Sequence, residues 1–407
     1  MSLREMLYDG LDMVGVFHPV SPDAIAALPD ALAAHVAEPA GKPLWRRPAR
    51  RRRWGHRRVG AVSLARGCVV IHPGPMGPAE LALTAQRRGY VGLPIAIHVA
   101  GDTVAVMLPH DLFDGASGWD QVERIVQHAT ATPRGEQPPR LAFPVAASLR
   151  HSGLLRGAAQ SEVRATRRAA ERGTTVAPQA DPPLLIDDQR RVDGLHTVWI
   201  DAGQRQRLLG ALQPSDEATG RPRQTLHMRL TGLVLEAVAE AVEPGLDLRV
   251  RMNIDARRYA PPGRQVLGPF ATPYPVGTLR TIDTNPSALG AELKGVLDSR
   301  APLWAVVANL VGYVRGRVRH PLTGPPVAPG RSSFDLGISI LPARLPASFW
   351  AAGDPTNAVL LLHPRQPSDP YVQIAQVQGG VVITLWDETG LVDADVFVGS
   401  LRARIGD

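Results

Sequence analysis

One short segment of the sequence holds residue types that can catalyse group transfer. In TVAVMLPHDLFDGASGW, residues 103–119, an apolar run ends at His110 and is followed by Asp114 and Gly115. A neutral imidazole can accept a proton from an alcohol or amine nucleophile. Glycine allows close backbone approach, so the N–H of Gly115 could face a developing oxyanion. His110 and Gly115 are therefore our candidate catalytic residues, as general base and oxyanion donor.

Asp114 suits a structural role better than the role of a second base. A carboxylate this close to His110 can hold the loop through an ion pair or through backbone hydrogen bonds, which would fix the angle of the imidazole. The alternative interpretation is that His-x-x-x-Asp-Gly is a turn without function, because so short a pattern also arises by chance. The predicted elements around the motif help to decide between a functional site and a turn without function.

Two predicted strands position the histidine. The apolar runs PIAIHVA and DTVAVMLPH are joined by Gly101 and Asp102, a typical hairpin turn, and the second run ends at His110. A helical pattern follows at 119–130. His98, and His72 in the earlier run GCVVIHPG, lie inside apolar runs, so we expect both to be structural.

The rest of the chain intersperses helices and strands. Helices are predicted at 21–37, 225–242, 287–301 and 392–404, and strands in GLHTVWIDA, LRVRMNIDA, RSSFDLGISIL and YVQIAQVQGGVVITLWD. The expected fold class is α/β or α+β in two lobes. We place an N-terminal lobe at 1–150 and a C-terminal lobe at 195–407. The connecting segment, 151–194, is rich in Pro, Arg and Gly and contains one predicted helix, at 158–172.

The composition is that of an ordinary globular protein, with 407 residues of which 44% are hydrophobic and 20% charged. Cys68 is the only cysteine, which excludes an intramolecular disulfide and suits a reducing cytoplasm. The first residues lack the basic head and apolar core of a signal peptide, and no charge-free apolar run reaches about eighteen residues. We therefore expect a cytoplasmic protein without a membrane span.

The net charge of +7 comes almost entirely from arginine, since Lys42 and Lys294 are the only lysines. A positive field favours anionic partners. The sequence has neither zinc-finger spacing nor an aromatic RNA-binding motif, so we do not expect a nucleic-acid partner. A protein that binds anions or nucleic acid through these arginines is accordingly the lowest-ranked of three functional hypotheses.

The segment HDLFDG, residues 110–115, resembles the second histidine and the remainder of the HHxxxDG motif of the condensation-domain and chloramphenicol-acetyltransferase-like superfamily. Two later segments are similar to that family in the same order: RMNIDARRYAPPGRQVLGPFATPYPV, residues 251–276, and VVITLWDETGLVDADVF, residues 381–397. Two features depart from the pattern. Pro109 stands in place of the first histidine, and the DFGWG motif of the plant branch has only a distant counterpart in FDLGIS, from Phe334.

The resemblance implies two chloramphenicol-acetyltransferase-like lobes that form a V-shaped cleft. It further implies transfer of an acyl group from a thioester, either acyl-CoA or an acyl group on the phosphopantetheine of a carrier protein, to a small-molecule hydroxyl or amine. His110 would be the base, and Asp114 would pair with Arg257 of the second lobe, or with its neighbour Arg258. The resemblance implies no tightly bound cofactor and no metal, and no group of His, Cys and Asp shows convincing ligand spacing.

Eight arginines between positions 46 and 58 lie close together in the sequence, including Arg50, Arg51, Arg52 and Arg53. Such a run is typical of a solvated basic edge. The alternative is a donor-binding surface, because coenzyme A and carrier proteins are both anionic and the guanidinium fork suits phosphate and carboxylate.

From the family resemblance, a natural-product or lipid acyltransferase is the first functional hypothesis. The second, which Pro109 keeps open, is a non-catalytic relative that binds a carrier protein or recruits an enzyme.

Overall fold

The computed structural model describes residues 12–38, 41, 44, 58–110, 113, 115–132, 141–142, 194–212, 224–259, 264–265, 271–303, 305, 334–341, 345–353, 355–362, 369–377, 379–387 and 389–406. All of the predicted connecting segment 151–194 except its last residue lies outside these ranges, and so does a helix predicted at 158–172. The division into two lobes at this segment therefore stays a prediction.

The described chain intersperses strands and helices, which confirms the predicted α/β class. The strands are β1 (Asp12–His18), β2 (Val69–Ile71), β3 (Ala96–Ala100), β4 (Thr103–Pro109), β5 (Leu141–Ala142), β6 (Leu195–Ile200), β7 (Arg249–Asp255), β8 (Arg264–Gln265), β9 (Ala271–Thr278), β10 (Asp335–Leu341), β11 (Thr356–Leu362), β12 (Tyr371–Val377) and β13 (Gly380–Trp386). The helices are α1 (Pro22–Ala37), α2 (Arg58–Ala65), α3 (Pro78–Arg88), α4 (Gly115–Ala129), α5 (Ala202–Gly210), α6 (Leu226–Ala241), α7 (Pro286–Asp298) and α8 (Ala394–Ile405).

Local sequence signals account for many of these boundaries. The Ser21 hydroxyl accepts a hydrogen bond from the Ala24 N–H (3.2 Å) and so begins α1, and Asp393 caps α8 in the same way at Val396 (3.0 Å). The helix predicted at 119–130 is present but begins four residues earlier, at Gly115. Its first turn contains two glycines, Gly115 and Gly118, which hid the start of the helix from the sequence pattern.

The first sheet has the strand order β11-β1-β4-β3-β2. Its predicted hairpin is confirmed, because β3 and β4 pair antiparallel about Gly101, which adopts a φ of +62°. Alternate residues of β4 face opposite sides: Val104, Val106 and Leu108 join a buried cluster with α1 and α4, and Ala105 and Met107 join one with α3. The sheet is therefore covered on both faces, and β4 lies in its interior.

The second sheet has the order β6-β13-β12-β10-β7-β9. One of its faces packs on α6 and α8 through apolar residues such as Ile338, Ile374 and Ile383. A separate pair of short parallel strands, β5 and β8, joins the first half of the chain to the second.

The two halves of the chain are interleaved. Strand β11 belongs to the second half by sequence but pairs with β1 along the edge of the first sheet. The residues just before it also return to the first sheet: the rings of Phe349 and Trp350 lie 5.7 and 6.4 Å from that of Phe17. The segment 345–362 therefore forms part of the first sheet and its core.

Gly232 marks a close contact between α6 and the backbone that precedes α7. A Cβ at this position would lie 2.4 Å from the carbonyl oxygen of Thr284. We expect Gly232→Ala to lower the free energy of unfolding by about 1–3 kcal/mol in urea titrations, because backbone cannot move aside as a flexible side chain can.

Gly295→Ala in α7 is the matched control, since no atom lies within 4 Å of an added Cβ there. We expect this variant to be neutral or more stable by up to about 1 kcal/mol, the usual helix preference for alanine. Equal stabilisation by both substitutions would contradict the close contact at Gly232.

Candidate active site

His110 directly follows the last residue of β4 and is buried, with 7% of its surface exposed. Strand β4 pairs with β1 on one side, as far as Pro109 opposite Asp12, and with β3 on the other. The histidine therefore leaves the sheet at the end of an interior strand, immediately before the loop that leads into α4.

The turn around His110 is closed by a backbone hydrogen bond. The N–H of Phe113 donates to the carbonyl oxygen of Pro109 (3.2 Å). The Phe113 side chain is 2% exposed and lies in the same buried cluster as Leu108 and Trp119. Because both ends of the turn are anchored in this way, the backbone of His110 is held in a defined position between strand and helix.

Gly118 allows α4 to lie close to the first sheet. A Cβ on Gly118 would lie 2.1 Å from Met13 Cε, 3.3 Å from Leu108 Cδ1 and 3.4 Å from Phe113 Cβ. An added Cβ would require the flexible Met13 side chain to shift and would lie tightly against Leu108. The glycine thus leaves room for these side chains of β1 and β4 beside the start of α4.

Pro109 is compatible with its place in β4. The pairing of β3 with β4 ends at Met107, opposite Ala96, so Pro109 is not paired with β3. The N–H that proline lacks therefore costs no hydrogen bond to β3. The substitution of proline for the first histidine of the family pattern leaves His110 at the strand end.

Gly115 is the first residue of α4. The first N–H groups of a helix have no acceptor within the helix, and they lie at the positive end of its dipole. This position is suited to an anion, but contact between Gly115 and an oxyanion stays a prediction.

The predicted partners of this turn are described only in part. Asp114 and the arginines at 50–53 lie outside the described residues. Arg257 lies in a short turn after β7, where its backbone N–H and its Nη1 contact Asp255 Oδ1 at 2.9 and 3.0 Å. Its neighbour Arg258 lies 5.9 Å from the centre of the Tyr259 ring, a cation–π contact. The pairing of Asp114 with either arginine stays a prediction.

Sequence analysis missed a buried polar row on the second sheet. Ser339, Gln373 and Thr384 lie side by side on β10, β12 and β13, in direct register, and are 6%, 1% and 3% exposed. They lie on the face opposite α6 and α8, because their strand neighbours Ile338, Ile374 and Ile383 pack on those helices. The signal was present in the sequence, since each polar residue interrupts an apolar strand.

The polar row is flanked by apolar residues that face the first sheet. On one side, Tyr371 and Trp386 belong to a cluster with residues of β1, β4 and α3. On the other side, Ala375 and Val382 belong to the cluster that contains α1 and α4. The row is therefore buried on the face of the second sheet that is turned towards the first. Tyr371 also accepts a hydrogen bond from Asn253 Nδ2 (3.0 Å).

The segment FDLGIS begins β10 and supplies an ionic anchor. Asp335 pairs with Arg249 and with Arg251 (2.7 Å), both on the neighbouring strand β7. The Asp335 side chain is mostly buried, so these ion pairs fix the register of β10 against β7. The alignment of Ser339 with Gln373 comes from the separate pairing of β10 with β12 on its other side.

A cavity of about 520 Å³ lies elsewhere, lined by residues 77–80, residues 195–197 and Thr356. Thr356 is opposite His18 on β1, whereas Pro109 is opposite Asp12 at the other end of the same strand. Six residues of extended strand separate these points by roughly 20 Å. The cavity therefore belongs to a different part of the first sheet from His110.

His98, on β3, and His72, just after β2, contact each other. His72 Nε2 lies 3.0 Å from His98 Nδ1, and the rings stack with centres 5.3 Å apart. Burial, with smaller effects from His72 and Arg88, lowers the pKa of His98 to about 4. These contacts account for His98 as a buried residue of β3, and for His72 as its partly buried neighbour just after β2.

Comparison with known proteins defines the fold. No protein-family model and no curated protein matches the sequence. Among solved structures, the chain is similar to a trichothecene 15-O-acetyltransferase from Fusarium sporotrichioides, with a TM-score of 0.62 and 12% identity over 99% of this chain and 91% of that one. It is also similar to the first condensation domain of the calcium-dependent antibiotic synthetase, with a TM-score of 0.57 and 14% identity over 100% and 96% of the chains.

A third similar structure is polyketide synthase associated protein 5 from Mycobacterium tuberculosis, with a TM-score of 0.54 and 12% identity over 99% of this chain and 96% of that one. These similarities extend over nearly the whole length of both chains. At such low identity they define the fold, and the chemistry has to be argued from the residues. Within the described part of the chain, no helix is long and apolar enough to cross a membrane.

Proposed function

Because the chain has the fold of the condensation-domain and chloramphenicol-acetyltransferase-like superfamily, we propose that it is an acyltransferase. It transfers an acyl group from a thioester to a hydroxyl or amine and so forms an ester or amide, in natural-product or lipid biosynthesis. The observation that carries this proposal is the placement of His110, which is buried at the end of an interior strand and is followed directly by the start of α4.

In the proposed reaction, His110 takes the proton from the acceptor O–H or N–H as that atom attacks the thioester carbonyl carbon. The carbonyl π electrons move to oxygen and give a tetrahedral oxyanion. The N–H of Gly115, at the positive end of α4, donates to this oxygen. Collapse of the intermediate breaks the carbon–sulfur bond, and the thiolate takes the proton from His110. The histidine is neutral again at the end, and neither a metal nor a tightly bound cofactor takes part.

Asp114 and Arg257 complete the proposed site as structural residues. An ion pair between them would join the His110 turn to the loop after β7, and hence the first sheet to the second. The Arg257 side chain is only 17% exposed and already contacts Asp255. An arginine held in this way is suited to a second carboxylate, since the guanidinium has several donors in one plane.

The buried polar row of Ser339, Gln373 and Thr384 is our proposed contact for the acceptor. A hydroxyl or amine needs hydrogen-bond partners when it leaves water, because an unpaired polar group is costly to bury. The row supplies side-chain hydroxyls and an amide on the sheet face turned towards the first sheet. This function was not predicted from the sequence.

The four arginines from Arg50 to Arg53 are proposed to attract the anionic donor. Exposed charges act mainly on encounter and are screened over about 8 Å at physiological salt. Replacing all four with glutamine should therefore raise the KM for the donor and flatten its salt dependence, with kcat nearly unchanged. Steady-state kinetics between low and high salt would measure this.

Parallel assays with one acyl group on coenzyme A and on a carrier protein would identify which donor the arginines serve. The corresponding control replaces Arg87 and Arg88, at the end of α3, with glutamine. It should leave both the KM for the donor and kcat unchanged. If neither donor responds to the loss of Arg50 to Arg53, these arginines are a solvated edge and the donor binds elsewhere.

Mass spectrometry can test the proposed activity directly. The purified protein is incubated with a panel of acyl-CoAs, acyl-carrier proteins and candidate hydroxyl or amine acceptors. Intact-mass measurement follows loss of the acyl group from the carrier, and small-molecule measurement follows the ester or amide. We expect acceptor-dependent product that His110→Ala does not form.

A non-catalytic carrier-binding protein is the second candidate, and the specific observation behind it is Pro109 at the position of the first histidine. This candidate predicts stable binding of a carrier protein and no product with any acceptor. The same incubation separates the two functions when native mass spectrometry of the sample is added, because this measures carrier binding beside turnover.

A further inference from the structure

A group of potential metal ligands lies at the carboxyl ends of α1 and α4. One ring nitrogen each of His35 and His128 and one carboxylate oxygen of Glu38 all lie within 4.8 Å of one another. His128 Nε2 is 3.2 Å from Glu38 Oε1, and the two imidazole rings have centres 6.2 Å apart. His128 is distant from the other two in the sequence, so ligand spacing along the chain did not reveal the group.

His35 is the buried member of this group and is prepared to act as a ligand. It is 0% exposed, and its Nε2 lies 2.9 Å from Gln121 Oε1. An amide oxygen only accepts, so Nε2 carries the proton and Nδ1 keeps its lone pair. Nδ1 is buried and has no hydrogen-bond partner among the described residues. Histidines that bind metals typically have this arrangement, with the second nitrogen donating to a carbonyl or carboxylate.

Two features of the electrostatic surroundings favour a cation, whereas the positive charge of Arg124, which acts on His35, opposes it. Helix α1 ends at Ala37 and α4 ends at Ala129, so the negative ends of two helix dipoles lie next to the three side chains. Glu38 adds a formal negative charge at the same place.

We propose that His35, Glu38 and His128 bind a divalent transition-metal ion of the zinc class. Two imidazoles and one carboxylate suit zinc, whereas magnesium and calcium prefer oxygen ligands. Tetrahedral zinc with bonds of about 2.0–2.1 Å places its ligand atoms roughly 3.4 Å apart, so the group closes slightly around the ion. Glu38 and His128 can make this adjustment because their side chains are 44% and 30% exposed.

The bound ion would link α1 to α4. Helix α4 begins five residues after His110, so this link would hold the distal end of the helix that starts at the proposed active site. The fourth metal position would be open to water at the exposed side of the group. The role assigned to the ion is structural, and it does not depend on the proposed acyl transfer.

Zn²⁺ and Co²⁺ binding to the chelator-treated full chain tests this proposal. Isothermal titration should show one Zn²⁺ per chain, and bound Co²⁺ should give the strong visible absorption of a tetrahedral site. The melting temperature should rise with added Zn²⁺, because the ion binds the folded chain. His128→Ala and Glu38→Gln change partly exposed ligands, so both variants should fold, and each should weaken Zn²⁺ binding at least about tenfold.

His196→Ala is the matched control, because His196 is a partly buried histidine on β6, outside the group, and its loss should leave Zn²⁺ affinity unchanged. Gln121→Leu tests the positioning of His35 and should weaken binding about ten- to a hundredfold, as loss of an outer hydrogen bond does. Failure of the unmodified chain to bind Zn²⁺ would overturn the proposal. So would equal affinity in the unmodified chain, His128→Ala and Glu38→Gln.

Discussion

Replacing His110 with alanine is expected to reduce acyl transfer by about a hundred- to ten-thousand-fold, the usual contribution of one general base. The physical reason is that the acceptor must lose its proton as it attacks, and among the described residues of the turn neither Pro109, Phe113 nor Gly115 has a side chain that can take it. Under saturating donor and acceptor the loss should appear in kcat. It should be measured with the donor and acceptor pair that gives the most product with the unmodified protein.

His110→Gln is a second variant that separates catalysis from packing. His110 is buried, so alanine leaves a cavity beside β4 that can destabilise the fold. Glutamine keeps more of the volume but cannot act as a base near neutral pH, and we expect a similar loss of rate with a smaller change in melting temperature. His196→Gln should retain full activity. Wild-type turnover in folded His110→Gln would end the assignment of His110 as the base.

Acidification is expected to destabilise the protein through His98. Its pKa is lowered to about 4 in the fold, whereas a histidine in an unfolded chain has a pKa near 6.5. The unfolded chain therefore binds a proton at a higher pH than the folded one, and stability rises with pH between these values. His98 is fully buried, so its contribution is present above pH 6.5 and should fall by about 3 kcal/mol as the pH reaches 4.

Urea unfolding of wild type, His98→Gln and His196→Gln at pH 7 and pH 4 would measure this effect. The remaining acidic and basic groups contribute equally to all three proteins. The decisive quantity is therefore the change in the free energy of unfolding between pH 7 and pH 4. That difference should be about 3 kcal/mol smaller in His98→Gln than in wild type, and unchanged in His196→Gln. An equal pH dependence in all three proteins would show that the fold does not lower the pKa of His98.

Several parts of the fold could be predicted from the sequence because their causes are local. Ser21 and Asp393 cap the helices that follow them, and Gly101 supplies the positive φ of the β3–β4 turn. The aspartate turn before the closing helix is also local: Asp387 accepts hydrogen bonds from the N–H groups of Thr389, Gly390 and Val392. Each of these interactions spans at most five residues.

The sequence alone determined that the chain alternates helices and strands, that His110 ends a hairpin strand and that a helix follows it. The order of the matching segments also pointed to the fold that the similar solved structures share. Three observations needed the tertiary structure: the transfer of β11 to the first sheet, the alignment of Ser339 with Gln373 and Thr384, and the meeting of His35 and Glu38 with His128. Strand pairing and side-chain clusters of this kind join residues far apart in the chain. Their stability comes from burial and register between whole elements, which no short segment of sequence contains.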